Sequence, residues 1–160
     1  MTKENPTVPQ FILAIMLIGF LFLPLFATVN AGHQSPPAAE CPQPRLTDKA
    51  PGAIYDRANP LAANRKNRKA GRNIYQDLSV PGCAVCHGEK GAGDGPLAGQ
   101  FNPRPRNFAC PNTIRGIPDG QLFWIIKNGS AGTAMPRFDY LSDDEIWQLV
   151  LYLRSLSGHD

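Results

Sequence analysis

The chain has 160 residues and a formal net charge of +3, from 16 basic and 13 acidic side chains. This length is enough for one domain of ordinary size. A nucleic-acid-binding domain is usually strongly basic, so the small positive excess gives no indication of a nucleic-acid partner.

Residues 1–31 have the layout of a secretory signal peptide. An apolar run over 11–26 follows a short head containing Lys3 and precedes the small-residue pattern at 29–31. The run is shorter than the roughly 20 residues of a membrane-spanning helix, which favours a cleaved leader and a periplasmic protein. Because Glu4 cancels the charge of Lys3, an uncleaved membrane anchor remains the alternative.

Residues 32–58 are rich in Pro and Ala and show no clear period, which predicts an extended N-terminal arm. A folded domain is predicted over 59–157, and its first helix from about Asn64 to Asp77. The inner face of that helix is predicted to carry Ala70, Gly71, Ile74, Tyr75 and Leu78. Gly71 costs about 1 kcal/mol relative to Ala in a helix, which close approach of another helix would explain.

The sequence Cys83-Ala84-Val85-Cys86-His87 is the attachment motif of a c-type haem. Two thiols at this spacing can form thioether bonds to two vinyl groups of one porphyrin, and His87 then binds the iron from one face. A thioredoxin-like site needs a βαβ pattern and a zinc ribbon needs a second C-x-x-C, and the sequence shows neither. It therefore predicts one covalently bound haem c.

Residues 88–106 form a long, Gly- and Pro-rich segment, which would count against a compact fold unless it wraps around a cofactor. Guanidinium groups pair well with carboxylates, so Arg104 and Arg106 are predicted to contact the haem propionates. A solvent-facing position for each arginine is the alternative.

A second helix is predicted from about Gly120 to Lys127, with Asp119 as its N-cap and Asn128-Gly129 at its end. Trp124 on this helix is predicted to donate its indole N–H to a propionate. Packing for buried area alone is the alternative for this side chain.

Met135 is the candidate second axial ligand. Once the leader is removed, no other methionine remains, and Pro136 stiffens the loop beside its sulfur. A thioether ligand favours ferrous iron and raises the reduction potential relative to a second histidine. The alternative is a core methionine that fills a gap. His33 and His159 are weaker competitors because both lie near the chain ends.

The last helix has the clearest start. Ser142-Asp143-Asp144-Glu145 is a capping box, and Leu141 and Ile146 are placed for a hydrophobic staple. An apolar stripe with helical spacing follows, at Ile146, Leu149, Val150 and Leu153. No segment after the leader alternates like a strand for long, so the fold is predicted to be all-α.

From Asn59 to Ser157 the chain resembles class I cytochromes c. In that family a Gly and an aromatic residue on the first helix cross a Leu and a Tyr on the last. Gly71 with Tyr75 and Leu149 with Tyr152 reproduce this pattern. The resemblance implies a cytochrome c fold, in which the N- and C-terminal helices cross around one covalently bound haem.

The resemblance also implies a role for Gly95-Pro96. In the family, a proline carbonyl after the attachment motif accepts a hydrogen bond from the proximal histidine. On this pattern Pro96 would accept from Nδ1–H of His87, which leaves Nε2 for the iron.

Two cysteines, Cys41 and Cys110, lie outside the attachment motif. In an oxidising compartment such cysteines tend to pair, so an intramolecular disulfide is predicted. A buried free Cys110 and an intermolecular link through Cys41 are the alternatives.

The first helix carries a basic cluster, consisting of Arg65, Lys66, Arg68, Lys69 and Arg72. This cluster is either a solvated helix face or a surface that steers an acidic redox partner.

Together these features predict a periplasmic electron carrier, with His87 and Met135 as axial ligands and no substrate transformed at the haem. The alternatives are a haem subunit of a periplasmic dehydrogenase or respiratory complex, and a haem enzyme or gas-binding protein with a displaceable Met135.

Overall fold

The computed structural model describes residues 36–79 and 82–158. The leader, His33 and His159 lie outside the described residues. Every regular element within the described residues is helical, as predicted. The helices are α1 (Gly52–Tyr55), α2 (Arg65–Gln76), α3 (Cys83–His87), α4 (Pro111–Ile114), α5 (Asp119–Asn128) and α6 (Asp143–Leu156), with a 3₁₀ turn at Ala98–Gln100. Across the two described ranges, no helix combines the length and the apolar character needed to span a bilayer.

Helices α2 and α6 cross in close contact, as predicted. A Cβ added at Gly71 would lie 2.0 Å from the carbonyl oxygen of Gln148, so only glycine permits this approach. Beside the crossing, the rings of Tyr75 and Tyr152 meet edge to face with centroids 5.2 Å apart. The Tyr75 hydroxyl donates to the carbonyl of Gly88 at 2.8 Å, which joins the crossing to the loop that follows the attachment motif.

The ends of both crossing helices follow from their sequences. Asn64 caps α2 by accepting a hydrogen bond from the backbone N–H of Asn67 at 2.9 Å. The capping box of α6 is formed: Ser142 Oγ accepts from Glu145 N at 3.3 Å, and Glu145 Oε2 accepts from Ser142 N at 2.9 Å. Each side chain satisfies a backbone donor that a helix N-terminus leaves without a partner.

Two helix predictions were wrong. Asp119 is the first residue of α5 rather than its cap, and its carboxylate accepts from Nε and Nη2 of Arg154 at 2.8 and 2.7 Å. Arg154 also donates to the carbonyls of Ile114 and Ile117, so it links α6 to the end of α4 and to the segment that precedes α5. Leu78 is 70% exposed because α2 ends at Gln76, before this residue can join the inner face.

The N-terminal arm lies along the domain and contains α1. Its backbone is held by polar contacts: Ala39 N donates to Ala92 O, and Ala50 N donates to Oε1 of the buried Gln121, both at 2.8 Å. A disulfide joins Cys41 to Cys110 with a Cα–Cα distance of 5.6 Å, as the sequence predicted. The arm is therefore bonded to the loop that precedes α4.

Candidate haem site

A largely apolar cavity lies between α3, α5, α6 and the loops beside them. Its apolar wall includes Phe101, Phe108, Ile117, Leu122, Ile125, Ile126, Phe138, Leu149 and Leu153. These side chains come from several segments between Phe101 and Leu153, so the cavity forms only in the folded domain.

Helix α3 places Cys83, Cys86 and His87 on the cavity wall. Neither thiol forms a disulfide. Burial raises the pKa of Cys83 to about 11 and is also the main cause of the raised pKa of Cys86. Both thiols of the unmodified chain are therefore protonated at neutral pH.

A backbone carbonyl fixes the orientation of the His87 ring. Its Nδ1 lies 3.0 Å from the carbonyl oxygen of Arg106, and since a carbonyl only accepts, Nδ1 carries the proton. Nε2 therefore keeps a lone pair for a metal. Burial is the main cause that lowers the pKa of His87 to about 4, which keeps the ring neutral, the form that binds metals. The ring also stacks on Phe108, with centroids 4.5 Å apart.

The predicted role of Pro96 was wrong, because Arg106 supplies the carbonyl that pairs with His87. Pro96 is exposed and does not line the cavity. Its segment packs against the backbone of α3 instead: Gly95 N donates to Cys86 O at 3.2 Å, and a Cβ at Gly95 would lie 2.4 Å from Val85 O. The close contact at Gly95 is therefore with the backbone of α3.

Met135 is half-buried and lines the same cavity as His87. Thr133 shapes its loop, since its Oγ1 donates to the carbonyl of Ser130 at 2.8 Å and accepts from Met135 N at 3.2 Å. Gly129, with φ of 80°, ends α5 and makes the turn into this loop. The Met135 side chain is thereby held against the apolar core at the cavity wall.

Of the three predicted propionate contacts, Arg104 and Arg106 line the cavity and Trp124 does not. Leu122, Ile125 and Ile126 form the face of α5 that lines it, and Trp124 lies about half a turn away from that face. The structure thus does not place Trp124 at the cavity, and its contact with a propionate stays a prediction without support from this geometry.

Sequence reasoning missed Arg45 and Phe108, which also line the cavity. Arg45 belongs to the N-terminal arm, and no local pattern marks it as a site residue. The predicted Cys41–Cys110 pair was the one sequence feature that could have indicated that this part of the arm lies near the loop beside the cavity.

The residues present fit a haem c. The apolar lining suits the macrocycle, and two thiols, a neutral imidazole and a thioether border the cavity. Nε of Arg104 is buried and has no hydrogen-bond partner, although the cavity lies beside it. An anionic group in the cavity could satisfy this donor, and haem carries two carboxylates.

Comparison with known proteins agrees with this chemistry. The family model described as Cytochrome c matches residues 68–157, which include the attachment motif and Met135. A chain of the Kuenenia stuttgartiensis reducing HAO-like protein complex is similar in structure, with a TM-score of 0.53 and 34% sequence identity. The match covers 61% of this chain and 46% of that chain, so it spans less than half of the Kuenenia protein.

Proposed function

Because the chain belongs to the cytochrome c family, we propose that it transfers electrons in the periplasm through one haem c with His87 and Met135 as axial ligands. The supporting observation is that Cys83, Cys86, His87 and Met135 all line one apolar cavity. The sequence contains one C-x-x-C-H motif, which is the basis for proposing one haem. The predicted leader and the Cys41–Cys110 disulfide support an oxidising compartment outside the cytoplasm.

Each part of the cavity contributes to this function. When bound, the haem supplies an iron that gains and loses one electron. Nε2 of His87 would hold the iron from one face, while the Arg106 carbonyl keeps the ring in its orientation. The sulfur of Met135 would occupy the other face and favour the ferrous state. The apolar wall would limit the access of water to the iron.

This arrangement favours a carrier over a haem enzyme or gas-binding protein. Substrate chemistry at a haem requires an iron position that is open or readily opened. The Met135 loop is held by two hydrogen bonds of the Thr133 hydroxyl, one donated to Ser130 O and one accepted from Met135 N. We therefore propose that no small molecule is transformed at this site.

Intact-mass measurement of the exported protein tests the covalent attachment. We expect the mass of the chain without its leader plus one haem, and we expect no haem to extract into acidified acetone. The double variant Cys83→Ala, Cys86→Ala should carry no covalent haem. An extractable haem in the unaltered protein, or a second covalent one, would contradict the proposal.

Similarity to a chain of the Kuenenia stuttgartiensis reducing HAO-like protein complex favours a second candidate, a haem subunit that works within a larger assembly. The two candidates differ in the size of the native particle. A freely diffusing carrier should elute as a small protein from gently lysed cells, whereas a subunit should elute together with its partners.

We propose that the basic cluster of α2 interacts with an acidic redox partner. Arg65, Lys66, Lys69 and Arg72 are all exposed there. Charges at the rim of an interface act mainly on the rate of encounter, and salt screens them. Electron transfer to such a partner should slow as salt rises, and Lys66→Glu with Lys69→Glu should slow it at low salt. Lys49→Glu, on the N-terminal arm, is the matched control.

A further inference from the structure

Three arginines meet at one side of the cavity, and one of them comes from the N-terminal arm. Arg45, Arg104 and Arg106 all line the cavity. Arg45 Nη2 donates to the carbonyl of Arg104, and Arg104 Nη2 donates to the carbonyl of Pro37 at 2.9 Å. The arm and the loop therefore hold each other through these two arginines.

Further bonds fix the same part of the arm. Gln43 Nε2 donates to Pro105 O at 3.2 Å, and Gln43 Oε1 accepts from Asn107 N at 2.7 Å. The Cys41–Cys110 disulfide lies close by in the sequence. The arm segment just before Arg45 is thus bonded to Pro105, Asn107 and Cys110, and these bonds set the position of Arg45.

No carboxylate balances these three cations among the described residues. Ion pairs within the described ranges include Lys127–Asp143, Arg137–Asp139 and Arg154–Asp119, and no ion pair there involves Arg45, Arg104 or Arg106. Arg104 Nε is buried without a partner. Burial lowers the pKa of both Arg45 and Arg106, and in Arg106 the charge of Arg45 adds to the effect.

Partly buried cations without counter-charges are costly, because they lose hydration and repel one another. A ligand that supplies negative charge at this place would remove both costs. On a porphyrin, the two propionates lie on the edge opposite the two vinyl groups. A haem attached through Cys83 and Cys86 would therefore direct its two carboxylates away from α3.

We infer that Arg45, Arg104 and Arg106 form one binding site for the two haem carboxylates, so that the N-terminal arm is part of the haem site. This inference rests on the proposed function, since it requires the haem. It extends beyond the family match, which begins at residue 68 and does not include Arg45. The disulfide and Gln43 act as positioning groups that keep Arg45 at the cavity.

The charge of Arg45 should act on the haem itself. A nearby cation stabilises the reduced iron, which carries one positive charge less, and at an effective dielectric constant of about 20 this interaction is substantial. Loss of the cation should therefore lower the reduction potential. We expect Arg45→Gln to shift the redox equilibrium constant about tenfold toward the ferric state, which corresponds to about 59 mV for one electron.

The test compares three variants of the haem-loaded, exported protein by spectroelectrochemical titration. Arg45→Gln removes the charge, Arg45→Lys keeps it, and Lys49→Gln removes one charge from an arm residue that does not line the cavity. Infrared difference spectra between the oxidised and reduced states follow the haem carboxylate bands. Arg45→Gln should lower the reduction potential and shift these bands. Arg45→Lys should recover at least half of the potential that Arg45→Gln loses. Lys49→Gln should have the same potential and bands as the unaltered protein.

The possible failures are distinguishable. If Arg45→Gln leaves the potential and the carboxylate bands unchanged in a protein with covalent haem, the inference is overturned and the proposed function stands. A fall in potential that Arg45→Lys does not recover would also overturn it, because Arg45 would then act only by holding the loop. If the unaltered exported protein carries no covalent haem, the proposed function fails and the inference with it.

Discussion

The helix crossing and the N-terminal arm are held to the domain by different forces. At the crossing of α2 and α6, contact between helix backbones at Gly71 is surrounded by buried apolar side chains, and Leu149 and Val150 are no more than 1% exposed. The arm contributes few large buried side chains, and Leu46 is fully exposed. It is attached by a disulfide and by hydrogen bonds to individual groups of the domain.

This difference explains how far each region depends on single residues. Apolar packing is spread over many contacts, so most of its members can change at moderate cost. The arm concentrates its attachment in a few bonds, and each of them should matter separately. The following substitutions test this contrast, in order of expected effect.

Removal of the disulfide should have the largest effect on stability. Cys41 and Cys110 are separated by 69 residues, and closing a loop of this length contributes about 4 kcal/mol in the chain-entropy model, with measured values of about 2–5 kcal/mol. The double variant Cys41→Ser, Cys110→Ser should lower the free energy of unfolding by that amount in denaturant titrations. An unfolding midpoint equal to that of the unaltered protein would mean that the disulfide adds nothing to the other bonds of the arm.

At the helix crossing, Gly71→Ala should destabilise the protein by about 2–3 kcal/mol. The new Cβ would meet the Gln148 carbonyl oxygen at 2.0 Å, and the cost of separating the helices exceeds the gain of about 1 kcal/mol in helix propensity. Gly116→Ala is the matched control, because its Cβ would have no atom within 4 Å. Equal unfolding midpoints for the two variants would show that α2 and α6 do not approach as closely as described.

A single amide in α5 should hold α1 and the arm segment before it. Gln121 accepts from Ala50 N and donates to Asp48 O, both at 2.8 Å. Gln121→Met keeps the shape of the side chain but leaves a buried N–H without a partner, which costs about 2 kcal/mol. Faster hydrogen exchange confined to the arm should accompany this loss. Exchange that rises equally in α6 would instead indicate general unfolding.

The start of α6 should show the smallest effect, together with a dependence on pH. Hydrogen bonds from the hydroxyl and the backbone N–H of Ser142 lower the pKa of Glu145. The capping box therefore stabilises the fold above the ordinary glutamate pKa of about 4.3, and this contribution is lost as the pH falls through the lowered value. Ser142→Ala should cost about 1 kcal/mol at pH 7. The difference from the unaltered protein should shrink in acid, and a constant difference across pH would contradict this assignment.

The features that the sequence predicts correctly are those encoded by local patterns. The start of α2 at Asn64, the capping box at Ser142 and the apolar stripe of α6 depend on residues within a few positions of one another. The three residues of the attachment motif are likewise local, and the structure places them on one wall.

The features that the sequence did not predict depend on contacts between distant segments. Which carbonyl reaches His87 depends on how the loop after α3 folds back, and Arg106 rather than Pro96 arrives there. Asp119 would have made an ordinary helix cap, but Arg154, 35 residues away, takes its carboxylate. Arg45 reaches the cavity only because the arm is bonded to the loop before α4. Such pairings need the tertiary structure.

The optical spectrum of the ferric, haem-loaded protein tests the central proposal most directly. Sulfur bound to ferric haem iron gives a charge-transfer band near the red edge of the visible spectrum. We expect this band in the exported protein, and we expect its loss in Met135→Ala, together with a lower reduction potential and binding of CO to the ferrous form. A spectrum without the band, or a Met135→Ala variant that keeps the native spectrum and potential, would contradict axial ligation by Met135.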